Sequence, residues 1–455
     1  MTRFTSIVQK QRDFFSKDAT RPLAFRIDVL RRLKSAIQKR ESQWYAAIAA
    51  DFGKSRFDTY TTEFGLLYGD IDETIKELPR WSRRRRVRTN LANLPGRSYL
   101  IPEPLGVCLV IGAWNYPYLL SLSPVVAALA AGNTAILKPS ELPAATSQAM
   151  REMVAAEFEP ELFSVVEGGV SETTELLEER FDKIFFTGSP AVGRIVYMAA
   201  AKQMTPVTLE LGGKSPAIVA KDSQLQHAAK RIVWGKFLNA GQTCVAPDYL
   251  LVDRSVQDEL LEQLRRCIER FQYKVENNNY PRIINERNFR RLADLIDPAK
   301  VVVGGMCDES SYTISPTILR DVTLDDRVMQ EEIFGPILPV IGYSDVDEAI
   351  AAVRSLPKPL ACYIFTHDTV LRDRLLGRLS FGGGAVNDTL MHLSNNNLPF
   401  GGVGNSGIGS YHGEAGFRAF SHNKSVLDKP FWFEPDFKYP PYSERKLKWI
   451  KWLLG

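Results

Sequence analysis

Histidine and cysteine are both scarce in this chain, with five of each among 455 residues. The histidines (227, 367, 392, 412 and 422) form no H-x-x-x-H pair. That argues against a zinc enzyme. The cysteines (108, 244, 267, 307 and 362) are odd in number and never spaced C-x-x-C. A disulfide framework and a cysteine-bound metal are both disfavoured, and a reducing compartment is expected. No run approaches the roughly 20 apolar residues of a spanning helix. The opening MTRFTSIVQKQRDFF has no uninterrupted apolar core of the kind that marks a secretory signal. Charge is nearly balanced at +4, too little for a nucleic-acid binder. A soluble, cytoplasmic protein is expected. Internal repeats and low-complexity segments are also missing, and FTGSPAVG (186–193) is not the G-x-G-x-x-G dinucleotide fingerprint.

Hydrophobic residues make up 45% of the chain, enough for two or three ordinary domains. The first hundred residues read mostly as helix, with Pro22 in a first turn and Gly53 as a stop. The run Arg83-Arg84-Arg85-Arg86 reads as a solvated helix end or connector. From about residue 105, short apolar runs alternate with helical segments. VCLVIGA (107–113), TAILK (134–138), FSVVEG (163–168) and KIFFTG (183–188) read as strands. SPVVAALAAG (123–132) reads as a helix closed by Gly132. Continuous β-branched runs separated by helices indicate parallel strands covered on both faces. After TLELGG (208–213) a second unit begins, with a helix over 222–239, a strand over 249–253 and a helix over 255–273. LPFGGVGNSGIG (398–409) is expected to be neither helix nor strand.

Ligands of parallel sheets sit beyond the carboxyl ends of the strands, so the residues there are the candidates. Cys244 lies in NAGQTCVAPDYL. A single cysteine is usually a small buried hydrophobe, but Gly241, Gln242 and Thr243 do not read as core, and the segment reads as a loop presenting a nucleophilic thiol. Glu210 is the only charge in VTLELGG. It is either a solvated carboxylate before a turn or a buried general base. Asn115 in WNYP is either a helix N-cap or an oxyanion donor. Lys138 and Glu141 in KPSE can bracket a ribose. Gly188 and Ser189 in FTGSPAVG open a helix, a phosphate-binding arrangement. Glu332 and Phe334 in QEEIFGP place an acid and an aromatic beside a turn.

Singly these motifs are weak. Together, WNYP, KPSE, FTGS, LELGGK, GQTC, EEIFGP and PFGG occur in order over nearly the whole chain. The sequence thereby resembles the aldehyde dehydrogenase superfamily. EPLGV (103–107), NAGQTCVAPDY, NDTLMHL (387–393) and PFGGVGNSGIGSYHG (399–413) make it most similar to the class 3, fatty-aldehyde-type branch. The resemblance implies an α/β fold with two Rossmann-like parallel-sheet domains and a small β oligomerisation element. It places a cofactor-binding domain at 1–82 and 102–208 and a catalytic domain at 209–400. It makes 83–101 and 410–430 bridging segments and 431–455 a C-terminal tail. It implies Cys244 as nucleophile, Asn115 as oxyanion donor and Glu210 as base for thioester hydrolysis. Trp114, Lys138, Glu141, Gly188, Ser189, Gly193, Leu211, Glu332 and Phe334 become contacts of NAD or NADP. The Glu141 charge would repel a 2′-phosphate and so favours NAD. Tyr68, Tyr116, Leu119, Trp234 and Met391 become candidates for an apolar aldehyde pocket, with core packing the alternative for each. A homodimer and no metal are implied. A CoA-acylating enzyme of the same family and a non-enzymatic protein that kept the fold are the rivals; Glu210 argues against the first, and the full set of Cys244, Glu210 and Asn115 against the second.

The tail KLKWIKWLLG (446–455) puts Leu447, Ile450 and Leu454 on one helical face among lysines. Trp449 and Trp452 suit a membrane interface. Contact with a membrane surface and packing on the protein itself are both open.

Overall fold

The computed structural model describes residues 2–454; Met1 and Gly455, at the ends of the expected first domain and tail, lie outside them. Two sheets organise the chain. The first has six strands in the order Gly407–Ile408, Val207–Glu210, Lys183–Thr187, Val107–Ile111, Thr134–Lys138 and Phe163–Val165. All are parallel except Gly407–Ile408, which runs antiparallel beside Val207–Glu210. The three central strands are buried at every position, as a sheet covered on both faces requires.

The second sheet has seven strands in the order Val301–Val303, Thr317–Leu319, Ile337–Tyr343, Tyr249–Asp253, Pro216–Val219, Ala361–Phe365 and Gly383–Val386. Only its edge strand Val301–Val303 is antiparallel. A third sheet joins Arg85–Val87, Arg97–Pro104 and Ser421–Asp428, all antiparallel. The segments expected to bridge therefore do pair with one another.

Several boundaries move. The expected divide at 208/209 cuts the strand Val207–Glu210, which belongs whole to the first sheet. The expected bridging segment ends at 101, but its strand continues to Pro104. The last two arginines of the run, Arg85 and Arg86, begin an edge strand, and Arg84 just before it lies over the Tyr99 ring at 4.6 Å. The glycine-rich loop contains the short strand Gly407–Ile408, because its backbone completes the edge of the first sheet.

The helix expected over 123–132 begins six residues earlier, at Pro117, and spans Pro117–Ala131. Proline at the first position is pre-shaped for a helix and has no N–H to lose. Gly132 stops the helix at φ 92°, a conformation that costs glycine little. Helix Leu23–Phe52 starts after Pro22 and ends at Gly53, as the sequence indicates. Helix Gln257–Phe271 carries the adjoining face of the second unit.

Candidate active site

Cys244 follows an irregular turn. Helix Leu225–Phe237 runs into the tight turn Leu238–Gly241, where Asn239, Ala240 and Gly241 all have positive φ, at 53°, 53° and 73°. Non-glycine residues there cost of order 1 kcal/mol each. A Cβ on Gly241 would collide with the Gly335 carbonyl, so the turn is fitted against the EEIFGP segment.

Hydrogen bonds hold this turn. Gln242 Nε2 donates to the Asn239 carbonyl at 3.1 Å and the Arg282 carbonyl at 3.2 Å, and its Oε1 accepts from Ile284 N at 3.0 Å. Gly241, Gln242 and Thr243 are buried, against the expectation that they lie outside the core. Polar groups can be buried when they are satisfied, and Gln242 uses both ends of its amide.

Asn115 is not the helix N-cap; that position is taken by Tyr116. The Asn115 Nδ2 donates instead to the Gln242 carbonyl at 3.1 Å, while Asn239 Nδ2 donates to the Asn115 carbonyl at 3.0 Å. The Tyr116 hydroxyl is 2.5 Å from Thr243 Oγ1. The WNYP loop and the cysteine loop are thus stitched together at two consecutive residues on each side.

Glu210 ends its strand, 2% exposed, with both carboxylate oxygens free of hydrogen-bond partners among the described residues. Its backbone is fixed on both sides, by Thr187 in one neighbouring strand and Gly407 in the other. Burial raises its pKa well above the ordinary carboxylate range. Burial, then the charges of Glu332 and Glu210, push the half-buried Cys244 thiol up to about 12.

Glu332 and Phe334 are delivered by the EEIFGP segment. Lys214 pins it from below, donating to Asp248 Oδ2 at 2.5 Å and to the Val328 and Glu331 carbonyls at 3.0 Å each. Asp248 Oδ1 accepts from Ile333 N at 3.0 Å. Burial, followed by the Asp248 charge, raises Glu332 to about 8. The Phe334 ring lies 5.2 Å from Trp114, edge to face, and Phe52 stacks behind Trp114 at 6.4 Å.

The cofactor candidates form a second group along the first sheet. Ser189 caps helix Pro190–Ala201, accepting from Val192 N at 3.4 Å. A Cβ on Gly193 would approach Leu211 to 2.6 Å, so this glycine lets the helix settle on Leu211. A Cβ on Gly188 would meet the Phe186 ring at 2.6 Å. Lys138 is buried, donates to the Pro139 carbonyl at 2.7 Å and stands 3.8 Å from the exposed Glu141. A solvent-facing helix N-terminus, and a lysine with an exposed carboxylate beside it, suit a dinucleotide's pyrophosphate and ribose. These residues fit NAD or NADP.

The pocket candidates divide. Tyr116 and Leu119 join Ala113 and Leu120 in one small apolar cluster. Tyr68 lies among the aromatics of the helical layer, stacked on Phe64 at 6.1 Å, with its hydroxyl donating to Glu41 at 2.7 Å. Trp234 and Met391 are exposed and stand outside the Tyr116 cluster. Lys54, Glu63, Lys214, Lys236, Asp248 and Asn239 were not among the sequence candidates. Lys236 Nζ has no partner among the described residues, and the others are placed by tertiary contacts, so no local pattern marks them. The five cysteines are free, and the described residues contain no cluster of metal-ligating side chains.

The aldehyde dehydrogenase family model matches residues 2–426. The chain is 46% identical to aldehyde dehydrogenase family 3 member A2 of Rattus norvegicus, covering 98% of this chain and 93% of the relative. It is 45% identical to the 4,4'-diaponeurosporen-aldehyde dehydrogenase of Staphylococcus aureus, covering 96% of each. It is 46% identical to the dimeric NADP-preferring aldehyde dehydrogenase of Rattus norvegicus, covering 97% and 98%. Among solved structures, the substrate-bound state of Staphylococcus aureus AldH superimposes with a TM-score of 0.97 over 100% of both chains at 43% identity. The chain belongs to the aldehyde dehydrogenase family, and is an NAD(P)-dependent enzyme of its class 3 type.

Proposed function

We propose that this enzyme oxidises apolar, medium- to long-chain aldehydes to carboxylic acids by hydrolysing a thioester on Cys244. The observation that carries this reading is Glu210, a buried carboxylate with both oxygens unpartnered, near enough to Cys244 for its charge to raise the thiol pKa. Burying such a group without partners costs several kcal/mol, and a hydrolytic step gives it a use that an acyl transfer to CoA would not.

The Cys244 thiol gives its proton to solvent water as its sulfur adds to the aldehyde carbon and the carbonyl π electrons move onto oxygen; when the hydride leaves that carbon, the oxygen lone pair re-forms the C=O of the thioester. That oxygen is held by the Asn115 amide, which has one N–H left beyond its bond to Gln242, and by the Cys244 backbone N–H. One such donor is worth roughly 3–4 kcal/mol in comparable sites. The bound nicotinamide supplies the two-electron acceptor for the hydride, and Lys138, Glu141, Ser189, Glu332 and Phe334 would hold the cofactor. Glu210 then takes a proton from water as its oxygen adds to the thioester carbon. The C–S bond breaks, the acid leaves and Cys244 is regenerated.

The substrate class rests on the apolar cluster of Ala113, Tyr116, Leu119 and Leu120 behind Asn115. It is supported by the relative named for 4,4'-diaponeurosporen-aldehyde. The Glu141 charge favours NAD over NADP, and a homodimer agrees with the relative named dimeric. The test is formation of reduced nicotinamide from dodecanal and NAD without CoA, beside a Cys244→Ala control. Turnover lost in the control supports the reading. Turnover that needs CoA, or equal efficiency on acetaldehyde and dodecanal, overturns its hydrolytic or its substrate part respectively.

We assign the enzyme to the cytoplasm, with helix Glu444–Leu454 resting on membrane surfaces. No helix among the described residues is long and apolar enough to cross a membrane. Trp449 and Trp452 are 57% and 71% exposed, among Lys446, Lys448 and Lys451, a pattern suited to an anionic interface. Co-sedimentation with phosphatidylserine-containing vesicles that is lost in a Trp449→Ala/Trp452→Ala variant supports this. No co-sedimentation of the parent enzyme overturns it.

A further inference from the structure

Lys54 and Glu63 form an ion pair at 3.1 Å with side chains 1% and 0% exposed. Neither lies in a motif that points to chemistry. Glu63 sits in the wide turn Tyr60–Phe64, a π-helical insertion between helices Arg56–Thr59 and Gly65–Trp81. Such insertions are uncommon and gather at functional sites.

The second oxygen of Glu63 reaches a different part of the chain. Oε2 accepts from Tyr118 N at 2.8 Å and from Leu119 N at 3.3 Å. These are the second and third residues of helix Pro117–Ala131, whose first residue, a proline, has no N–H to offer. Tyr116 occupies the N-cap without a side-chain cap bond. The free N–H groups of this helix start are therefore satisfied by a carboxylate 55 residues upstream. The positive end of the helix favours a negative partner there.

Lys54 completes the clasp. Its Nζ stands 4.3 Å from the centre of the Tyr116 ring, and the Tyr116 hydroxyl bonds Thr243, the neighbour of Cys244. Tyr118 is wedged behind, stacked on Trp44 at 4.4 Å and donating its hydroxyl to the Trp44 carbonyl at 2.9 Å. Asn115 immediately precedes these fixed residues. It is gripped from the cysteine side by Asn239 and Gln242, and the residues that follow it are held through Tyr116, Tyr118 and Leu119.

We propose that the buried Lys54–Glu63 pair is the positioning device of the oxyanion site: Glu63 anchors the helix start that follows Asn115, Lys54 holds Tyr116 against Thr243, and together they fix the gap between the Asn115 amide and Cys244. Neither residue touches the reacting atoms. The inference rests on the role given to Asn115 above. It differs from a plain stability role, because replacing a buried ion pair with neutral side chains is often stability-neutral, whereas misplacing an oxyanion donor is costly.

A double-mutant cycle on the full-length enzyme separates the possibilities. Lys54→Met/Glu63→Gln removes both charges and the cation over Tyr116 but keeps an acceptor for Tyr118 N; its kcat should fall about 3- to 10-fold, less than when the acceptor is lost as well. Lys54→Met/Glu63→Leu removes the acceptor; its kcat should fall about 10- to 100-fold, with cofactor affinity, read by tryptophan fluorescence, within about twofold. In an Asn115→Ala background the same Leu variant should have almost no further effect. A Leu variant that keeps its kcat overturns the proposal, as does an equal loss with and without Asn115. Should that variant not fold, Glu63→Asp keeps the charge and withdraws the acceptor by one methylene. A drop of about tenfold in its kcat then supports the device, and an unchanged kcat overturns it. An Asn115→Ala enzyme with full activity would sink the oxyanion reading itself, a different outcome from either.

Discussion

The Glu332 carboxylate is seated directly on Gly212, in the space that a side chain at residue 212 would occupy. Gly212 does not have positive φ, so its value lies in the missing Cβ rather than in backbone freedom. Gly212→Ala should swing the flexible Glu332 away at little cost to the fold. The expected outcome is a change in melting temperature of a few degrees at most and a fall of about tenfold in kcat/KM for the cofactor. Steady-state kinetics beside a thermal melt checks both.

The resting thiol should be slow to react. With Cys244 pushed up to about 12, alkylation by iodoacetamide in the absence of cofactor should climb with pH across the whole range from 7 to 10 without a plateau. Glu332 contributes to that shift, so Glu332→Gln lowers the thiol pKa and should speed alkylation several-fold at pH 8. A plateau near pH 8 in the parent enzyme would contradict the site's electrostatics.

Glu210 must lose its proton to act as a base, and burial raises its pKa well above the carboxylate range. Steady-state turnover should therefore rise with pH through the range in which Glu210 ionises. Glu210→Gln should lower turnover about 100- to 10,000-fold while leaving a single burst of reduced nicotinamide and removing that dependence on pH. Rapid-quench kinetics reads the burst. A variant without one would place Glu210 before hydride transfer rather than after it.

Much of this site was legible in the sequence because its chemistry sits at strand ends. Glu210, Lys138 and Gly188 follow short β-branched runs whose period and length mark them, and Cys244 and Asn115 fall in irregular loops with polar neighbours. The supports were not legible. Lys214 acts through Asp248, on the far side of the cysteine loop, and Glu63 through a helix start 55 residues away. Each is an ordinary charged residue in its own neighbourhood. Gln242 was misread for the opposite reason, since a polar residue in a loop suggests exposure and only its complete set of partners explains its burial. Trp234 and Met391 look like pocket residues by type, but both side chains are exposed, Trp234 on a helix whose other face is buried.

Lys236 offers a test of stability. It is fully buried on the helix that leads to Cys244, its Nζ has no partner among the described residues, and burial lowers its pKa to about 8. In the unfolded chain it titrates near its ordinary value, so between about 8 and 10.5 the unfolded state binds more protons, and this residue adds stability as pH rises through that window. Below the window its buried charge is a cost. Lys236→Met should therefore stabilise the protein by about 1–4 kcal/mol at pH 7, with the gain shrinking towards pH 10. Denaturant melts at the two pH values measure it. A variant that is less stable than the parent at pH 7 would show that Lys236 has a partner in solution.

The strand Gly407–Ile408 closes the sheet edge beside Glu210 from a point nearly two hundred residues later in the chain. During synthesis the base, the nucleophile and the cofactor cradle all emerge before the segment that walls in the base. A nascent chain that already carries Cys244 still has an open edge at Val207–Glu210. A chain cut short before residue 407 would therefore leave the strand that ends in Glu210 unpaired along one side.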